Sequence, residues 1–262
     1  MTRKPKSDYA IQTVTNALRL LEVFKDVDEI GVADLARLLG LHKNNVFRLL
    51  ATLETRGWVD QDRDSGNYRL GLKTFEVASV FLHHLGLSKQ AHAVLRELAG
   101  DTGETAYLAV LEGGSVVCVD AVETVQAVRV VSYLGRRLPA HATALGKAQL
   151  AFRPAEEIEA VWKPQERMGP TARTLTDPER LTEELKRVVA HGAAFEDEEL
   201  ERGVRGVAAP VRDYARRVVG AVGVVGPAFR LPLERLEQEL APRVKGAAQE
   251  VAKRLGYAVT PG

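Results

Sequence analysis

Lys43, Asn44, Asn45 and Arg48 stand together in the run LHKNNVFRLL, and their chemistry suits the edges of nucleic-acid bases. An asparagine amide can pair bidentately with adenine N6 and N7, and a guanidinium can meet guanine or a phosphate. Only four asparagines occur in the 262 residues, and two of them are adjacent here. A second chemical stretch is His141-Ala142-Thr143-Ala144-Leu145-Gly146-Lys147, which carries small residues through a loop into a helix start. Backbone N–H groups at such a place, with the positive end of a helix dipole, suit a carboxylate. A third is the acidic run Glu196–Glu201, whose carboxylates could hold a cation but which reads better as a solvated loop with Glu196 turned inward.

Catalytic and metal signatures are missing. Gly146-Lys147 lacks the upstream glycine of a phosphate-binding loop, and Gly220, Gly223 and Gly226 do not form G-x-G-x-x-G. No G-x-S-x-G occurs, and the six histidines are scattered; His83 and His84 are adjacent and diverge by ~100° on a helix, a poor chelating pair. The single Cys118 lies in the apolar run SVVCVDAV and reads as an inert core thiol. Neither a cofactor nor a metal is expected.

The elements that must position these groups follow from periodicity. Gly31 to Arg56 predicts two short amphipathic helices around a Gly40-Leu41 corner, a helix-turn-helix. Its second helix repeats Val46, Leu49, Leu50 and Leu53 on a buried stripe, leaving Asn44, Arg48, Ala51 and Thr55 opposite, with Asn45 and Thr52 flanking. A purely packing helix would expose Glu and Lys there. Strands at 59–62 and 67–70 around Arg63-Asp64-Ser65-Gly66 add a wing, and winged modules most often grip duplex DNA. Upstream, a first helix from Gln12 or Thr13 is expected to bury Val14, Leu18 and Leu21, and the second to bury Leu35 and Leu38. From Leu72 to Leu87 the chain is apolar nearly all round, as in a linker helix packed against a partner chain.

The remainder mixes helices and strands without strict alternation, so the fold class is α+β. Strands are expected at 105–111, 116–122, 128–133, 204–212 and 218–225, and helices at 89–98, 143–152, from Pro178 to Gly192, and from Pro232 with an interruption at Pro242. Composition is that of an ordinary globular chain, with 45% hydrophobic and 27% charged residues. Net charge is +1, so DNA binding must rest on local placement, including the Arg3-Lys4-Lys6 tail. No signal core or membrane span of ~20 apolar residues is present, which points to the cytoplasm.

Four separated motifs in order make the chain resemble the IclR family of bacterial transcriptional regulators over nearly its whole length. They are IQTVTNALRLLEVF (11–24), GLHKNNVFRLLATLETRGWV (40–59), LPAHATALGKAQLA (138–151) and AFEDEELERGVRGVAAPVRD (194–213), with VGP at 225–227. The resemblance implies a winged helix-turn-helix over 1–71, a linker helix over 72–87 and a GAF-like α/β effector-binding domain over 88–262, in a homodimer or dimer of dimers. Lys43, Asn44, Asn45, Arg48, Thr52 and the wing residue Arg63 become the expected contacts to a pseudo-palindromic double-stranded operator. Leu138, Ala144, Leu145, Gly146, Glu196, Val204, Gly206, Gly223 and Val225 become the expected lining for a small organic acid. Family members that take small keto acids place hydroxyls or a thiol at several of these positions. Here Gly206, Gly223 and Val225 stand instead, and Glu196 where Asp is common, which implies a less polar pocket for a bulkier acid.

Two rivals come from other classes: a small-molecule-processing enzyme with a fused helical domain, which lacks a catalytic pair, and a winged protein-interaction module, against which the Asn-Asn-Arg face argues.

Overall fold

The structure, a computed structural model, describes residues 10–85, 87–161 and 169–257. It divides into two compact units, Met1–His84 and Leu85–Gly262. The Arg3-Lys4-Lys6 tail and the side chains of His83 and His84 lie outside the described residues.

In the first unit, α1 (Gln12–Val23), α2 (Val32–Leu39) and α3 (Lys43–Thr55) precede a hairpin of β1 (Val59–Gln61) and β2 (Tyr68–Leu70). Gly40, at φ +66°, ends α2 in the left-handed conformation that only glycine adopts without strain, and this turns the chain into α3. Leu20, Leu35, Leu39, Val46, Leu50 and Tyr68 form the core. The stripe of α3 is where its spacing puts it. On α1 and α2 the buried positions are Leu20, Leu35, Ala36 and Leu39, while Val14, Leu18 and Leu38 are exposed. Leu35 is buried as its spacing predicts; α1 packs on α2 and α2 on α3, and only the apolar residues at those contacts are covered. Ile30 exchanges both backbone hydrogen bonds with Tyr68, adding a third short strand to the wing that alternation alone does not reveal. Next comes α4 (Leu72–Leu85), whose Leu72, Phe75 and Val77 are exposed.

The second unit is built on a six-stranded antiparallel sheet. Its strands are β3 (Thr105–Glu112), β4 (Ser115–Val122), β5 (Arg137–Pro139), β6 (Ala194–Asp197), β7 (Val204–Arg212) and β8 (Val218–Pro227). Their order across the sheet is β5-β4-β3-β8-β7-β6. Gly113 and Gly114 both take positive φ in the β3–β4 turn, the primed geometry that matches strand twist. On one face pack α5 (Leu87–Thr102) and α10 (Ala241–Arg254). On the other pack α6 (Ala144–Leu150), α8 (Pro178–His191) and the segment around Val130 and Tyr133. α7 (Ala155–Val161) and the one-turn α9 (Leu233–Arg235) complete the helices of the described residues.

The sheet differs from expectation in two places. Residues 128–133 are irregular, with Val128 and Val131 exposed, and the strand there is β5, a few residues later. The side-chain alternation favoured a strand, but Arg230 takes the Val128 carbonyl that a neighbouring strand would need. The acidic run is not a solvated loop: Glu196 sits in β6, and both Glu196 and Glu199 are buried. Near Pro242 the interruption takes the form of a π-helical turn, Leu236–Leu240, before α10, since proline cannot donate to the preceding turn. Among the described residues no helix is long and apolar enough to cross a membrane.

Candidate DNA face and effector core

On α3 the side chains of Lys43, Asn44, Asn45, Arg48 and Thr52 are exposed. The asparagines do not cap the helix. His42 does, its Nδ1 accepting from the Asn44 N–H at 3.3 Å, so both amides are left to meet something outside the unit. The Thr52 hydroxyl donates to the Arg48 carbonyl at 2.8 Å, which fixes its rotamer with its lone pairs outward. Arg63 is exposed at the tip of the wing. The turn that presents it is tied by Asp62, whose Oδ1 accepts from the Ser65 N–H at 2.8 Å and from the Asp64 N–H at 3.1 Å. Those bonds hold the Asp62 carboxyl below its usual range. The start of α3 and the wing tip are therefore both built from locked local geometry.

In the second unit, register gathers the residues named from sequence. Glu196 pairs with Gly206, and Gly206 with Val225. Gly223, two residues back from Val225, pairs with Ala208 on β7 and Tyr107 on β3. With side chains alternating along each strand, Glu196, Val204, Gly206, Gly223 and Val225 share the face covered by α6. Leu138, Ala144 and Leu145 belong to the same cluster.

The start of α6 does not offer free N–H groups to a ligand. The Thr143 Oγ1 accepts from the Gly146 N–H at 3.0 Å, and Glu196 Oε2 accepts from the Ala144 N–H at 3.4 Å. Gly146 is a packing residue: a Cβ there would lie 2.1 Å from the Ala140 carbonyl oxygen. Deeper polar groups stand in its place. Glu196 and Tyr133 are each 1% exposed, and Glu196 Oε1 and the Tyr133 hydroxyl have no hydrogen-bond partner. An unmet buried polar group costs about 1–3 kcal/mol, so two in one cluster ask for an occupant.

Burial also sets their charge. Desolvation pushes Glu196 up to about 8, against a favourable bond from Ala144 and with Glu199 nearby raising it further. Cys118 and Tyr107 are each pushed up to about 12, and Tyr133 rises too, again through burial. At neutral pH the Glu196, Tyr107, Tyr133 and Cys118 side chains are therefore uncharged, and the first three offer O–H donors. Tyr107 stacks on Tyr133 with ring centroids 5.6 Å apart, and its hydroxyl accepts from the Tyr133 N–H at 3.4 Å. Sequence reasoning missed Tyr133, because 128–133 read as a strand, whose alternation would set Tyr133 on the opposite face from Val130, whereas both are buried.

Comparison with known proteins decides the class. Residues 13–63 match the IclR helix-turn-helix domain, and residues 79–253 match the bacterial transcriptional regulator IclR C-terminal domain. The chain belongs to the IclR family. It is 34% identical over 251 residues to the transcriptional regulator XynR of Escherichia coli, covering 94% of this chain and 98% of the relative. Identity to KdgR of the same organism is 32% over 252 residues, covering 96% and 95%. Among solved structures, IclR of Thermotoga maritima has a TM-score of 0.77 at 30% identity, covering 95% of this chain and 100% of that one. An IclR homologue from Microbacterium hydrocarbonoxydans, complexed with 4-hydroxybenzoate, has a TM-score of 0.82 at 27% identity, covering 93% and 99%. The IclR assignment makes this chain a DNA-binding transcriptional regulator, and its relatives are regulators of transcription, not enzymes. Among the described residues no cluster of His, Cys, Asp and Glu could hold a metal ion.

Proposed function

We propose that this IclR protein binds a carboxylate-bearing organic effector in the core around Glu196, and that occupancy there modulates its grip on an operator. The observation that carries the reading is the pair of buried, unpartnered groups, Glu196 Oε1 and the Tyr133 hydroxyl. Because Oε2 already accepts from Ala144, the proton of neutral Glu196 sits on Oε1. A carboxylic acid held neutral at pH 7 can donate to an anion that an ionised Glu would repel. Leu138, Leu145, Val204 and Val225 give the rest of the site apolar walls. That combination suits an aromatic or otherwise bulky acid better than a two-carbon one, and a neighbour's complex with 4-hydroxybenzoate supports it.

On the DNA side, Asn44 and Asn45 read bases, Arg48 and Thr52 contact base edges or phosphate, and Lys43 and Arg63 position the backbone. The exposed Leu72, Phe75 and Val77 of α4 support a working homodimer or dimer of dimers. A symmetric pair of wings calls for a pseudo-palindromic operator with half-sites ~10 base pairs, or a multiple, apart. The division of labour is 1–71 for DNA, 72–87 for linkage and 88–262, GAF-like, for the effector, in the cytoplasm.

The test is a thermal-shift screen of the full chain with 4-hydroxybenzoate, benzoate, pyruvate and glyoxylate, repeated on Glu196→Leu and Tyr133→Phe. Aromatic acids should raise the melting temperature of the wild type and lose that effect in both variants. Stabilisation by the two-carbon acid alone would overturn the apolar-acid reading.

A further inference from the structure

We infer that the first turns of α1 carry a second row of DNA contacts, which grip the sugar-phosphate backbone beside the bases that α3 reads. A groove of about 590 Å³ runs along the outward face of α3 and is walled on one flank by α1, all within the first unit. Gln12, Thr13 and Asn16 face Asn45, Arg48 and Thr52 across it. Its lining holds one cation and no carboxylate, although ten acidic residues occur in residues 1–75. Amides, hydroxyls and a guanidinium without a counter-charge suit the acceptor-only oxygens of phosphates.

The Gln12 Nε2 donates to the Asn16 Oδ1 at 3.0 Å. This pre-sets the pair and leaves both Asn16 N–H donors unused. The lining also holds Phe47, Leu49 and Ala51, and it is continuity with the α3 face that selects duplex DNA as the occupant over a second copy of the chain.

The inference rests on α3 being the reading helix, so the experiment separates the two. A duplex is selected by the wild-type full chain from a random-sequence pool, and a scrambled duplex serves as the non-specific partner. Affinities are measured by fluorescence anisotropy across a salt series for Gln12→Ala/Asn16→Ala and for Asn44→Ala. The α1 variant loses an exposed i,i+4 pair worth about 0.2–0.5 kcal/mol and so stays folded, which circular dichroism checks. It should weaken binding to both duplexes by the same factor, roughly 5- to 30-fold. The salt slope should stay unchanged, because neutral amides displace no counterions. Asn44→Ala should weaken the selected duplex alone; an unaffected Asn44→Ala would sink the reading-helix assignment without touching the α1 result. Unchanged affinity of the α1 variant for both duplexes, a loss confined to the selected one, or a loss traced by sedimentation to dissociated oligomers would each overturn the inference.

Discussion

The Ala144 N–H at the start of α6 donates to Glu196 Oε2 in β6, a 3.4 Å bond across 52 residues of chain. It ties the helix that roofs the effector core to the edge of the sheet beneath. The carboxyl that accepts it titrates at 4.5 when unperturbed and about 8 in the fold, so the bond survives burial by keeping Glu196 neutral. Between those values the folded chain holds a proton that the unfolded chain has released. Folding therefore becomes less favourable as pH rises across that window, and levels off above it. Glu196→Gln keeps the shape and removes the titration. Its stability to urea should fall less than the wild type's between about pH 5 and pH 8. Parallel curves for the two proteins would show that Glu196 is not held neutral.

The same proton controls ligand binding in the proposed site. An anionic effector that accepts from Glu196 loses its partner once the carboxyl ionises and gains a repelling charge. Its affinity should be level below neutrality and fall about tenfold per pH unit above pH 8, while Glu196→Gln should bind with no such break. Isothermal titration calorimetry with 4-hydroxybenzoate at stepped pH reads this directly. A wild-type profile without a break near 8 would remove Glu196 from the binding step.

Two glycines in helices should respond in opposite directions to alanine. At Gly146 the new Cβ would meet the Ala140 carbonyl oxygen at 2.1 Å and its Cα at 2.4 Å, and backbone cannot swing aside as a side chain can. Gly146→Ala should cost at least ~3 kcal/mol or force α6 off the sheet. At Gly246, in the exposed middle of α10, nothing lies within 4 Å. Gly246→Ala should stabilise by about 0.5–1 kcal/mol through backbone entropy alone. Denaturant unfolding of the two variants checks both signs.

That contrast shows what was legible in the sequence. Gly146 read as part of a ligand loop because its neighbours are small, but smallness there serves the close approach of Ala140. The exposed polar face of α3 was legible because a 3.6-residue period sorts Val46, Leu50 and Leu53 from Asn44 and Arg48 without knowledge of the tertiary fold. Val14 and Leu18 were misassigned, since amphipathicity says that a face is apolar and not which neighbour covers it. Glu196 was expected to turn inward and does, but its place in a strand rests on pairing with Gly206, and the burial of Glu199 rests on Lys147, both non-local facts. Tyr133 was hidden because the local signal at 128–133 was that of a strand, which the fold does not form there.

Lys147 is 1% exposed, and its Nζ meets Glu199 Oε1 at 2.6 Å and Glu184 Oε1 at 3.7 Å. Burial drives the Glu199 carboxyl upward while the Lys147 ammonium pulls it back down. Lys147 is thus the counter-charge that offsets the burial of the Glu199 carboxyl. Lys147→Met should cost about 3–5 kcal/mol, because it strands a buried carboxylate, whereas Lys147→Met/Glu199→Leu should recover most of that loss. If the double variant is as unstable as the single, the cost lies in packing around α6 and not in the unpaired charge.

Cys118 gives a probe of how the core opens. It is 1% exposed in β4, and desolvation, with Glu196 adding to it and Arg136 opposing, pushes its thiol up to about 12. The thiolate is the reactive form, so the folded chain should resist iodoacetamide at pH 8 and react only during openings that expose the strand. An occupant of the neighbouring effector core binds the closed state alone, and each tenfold excess of ligand over its Kd should slow labelling by about tenfold. Intact-mass spectrometry over time, with and without 4-hydroxybenzoate, measures both effects. Stoichiometric labelling of the folded chain within minutes would mean that the core breathes far more than its burial implies. Labelling that is slow but indifferent to saturating ligand would place the effector away from the Cys118 side of the sheet.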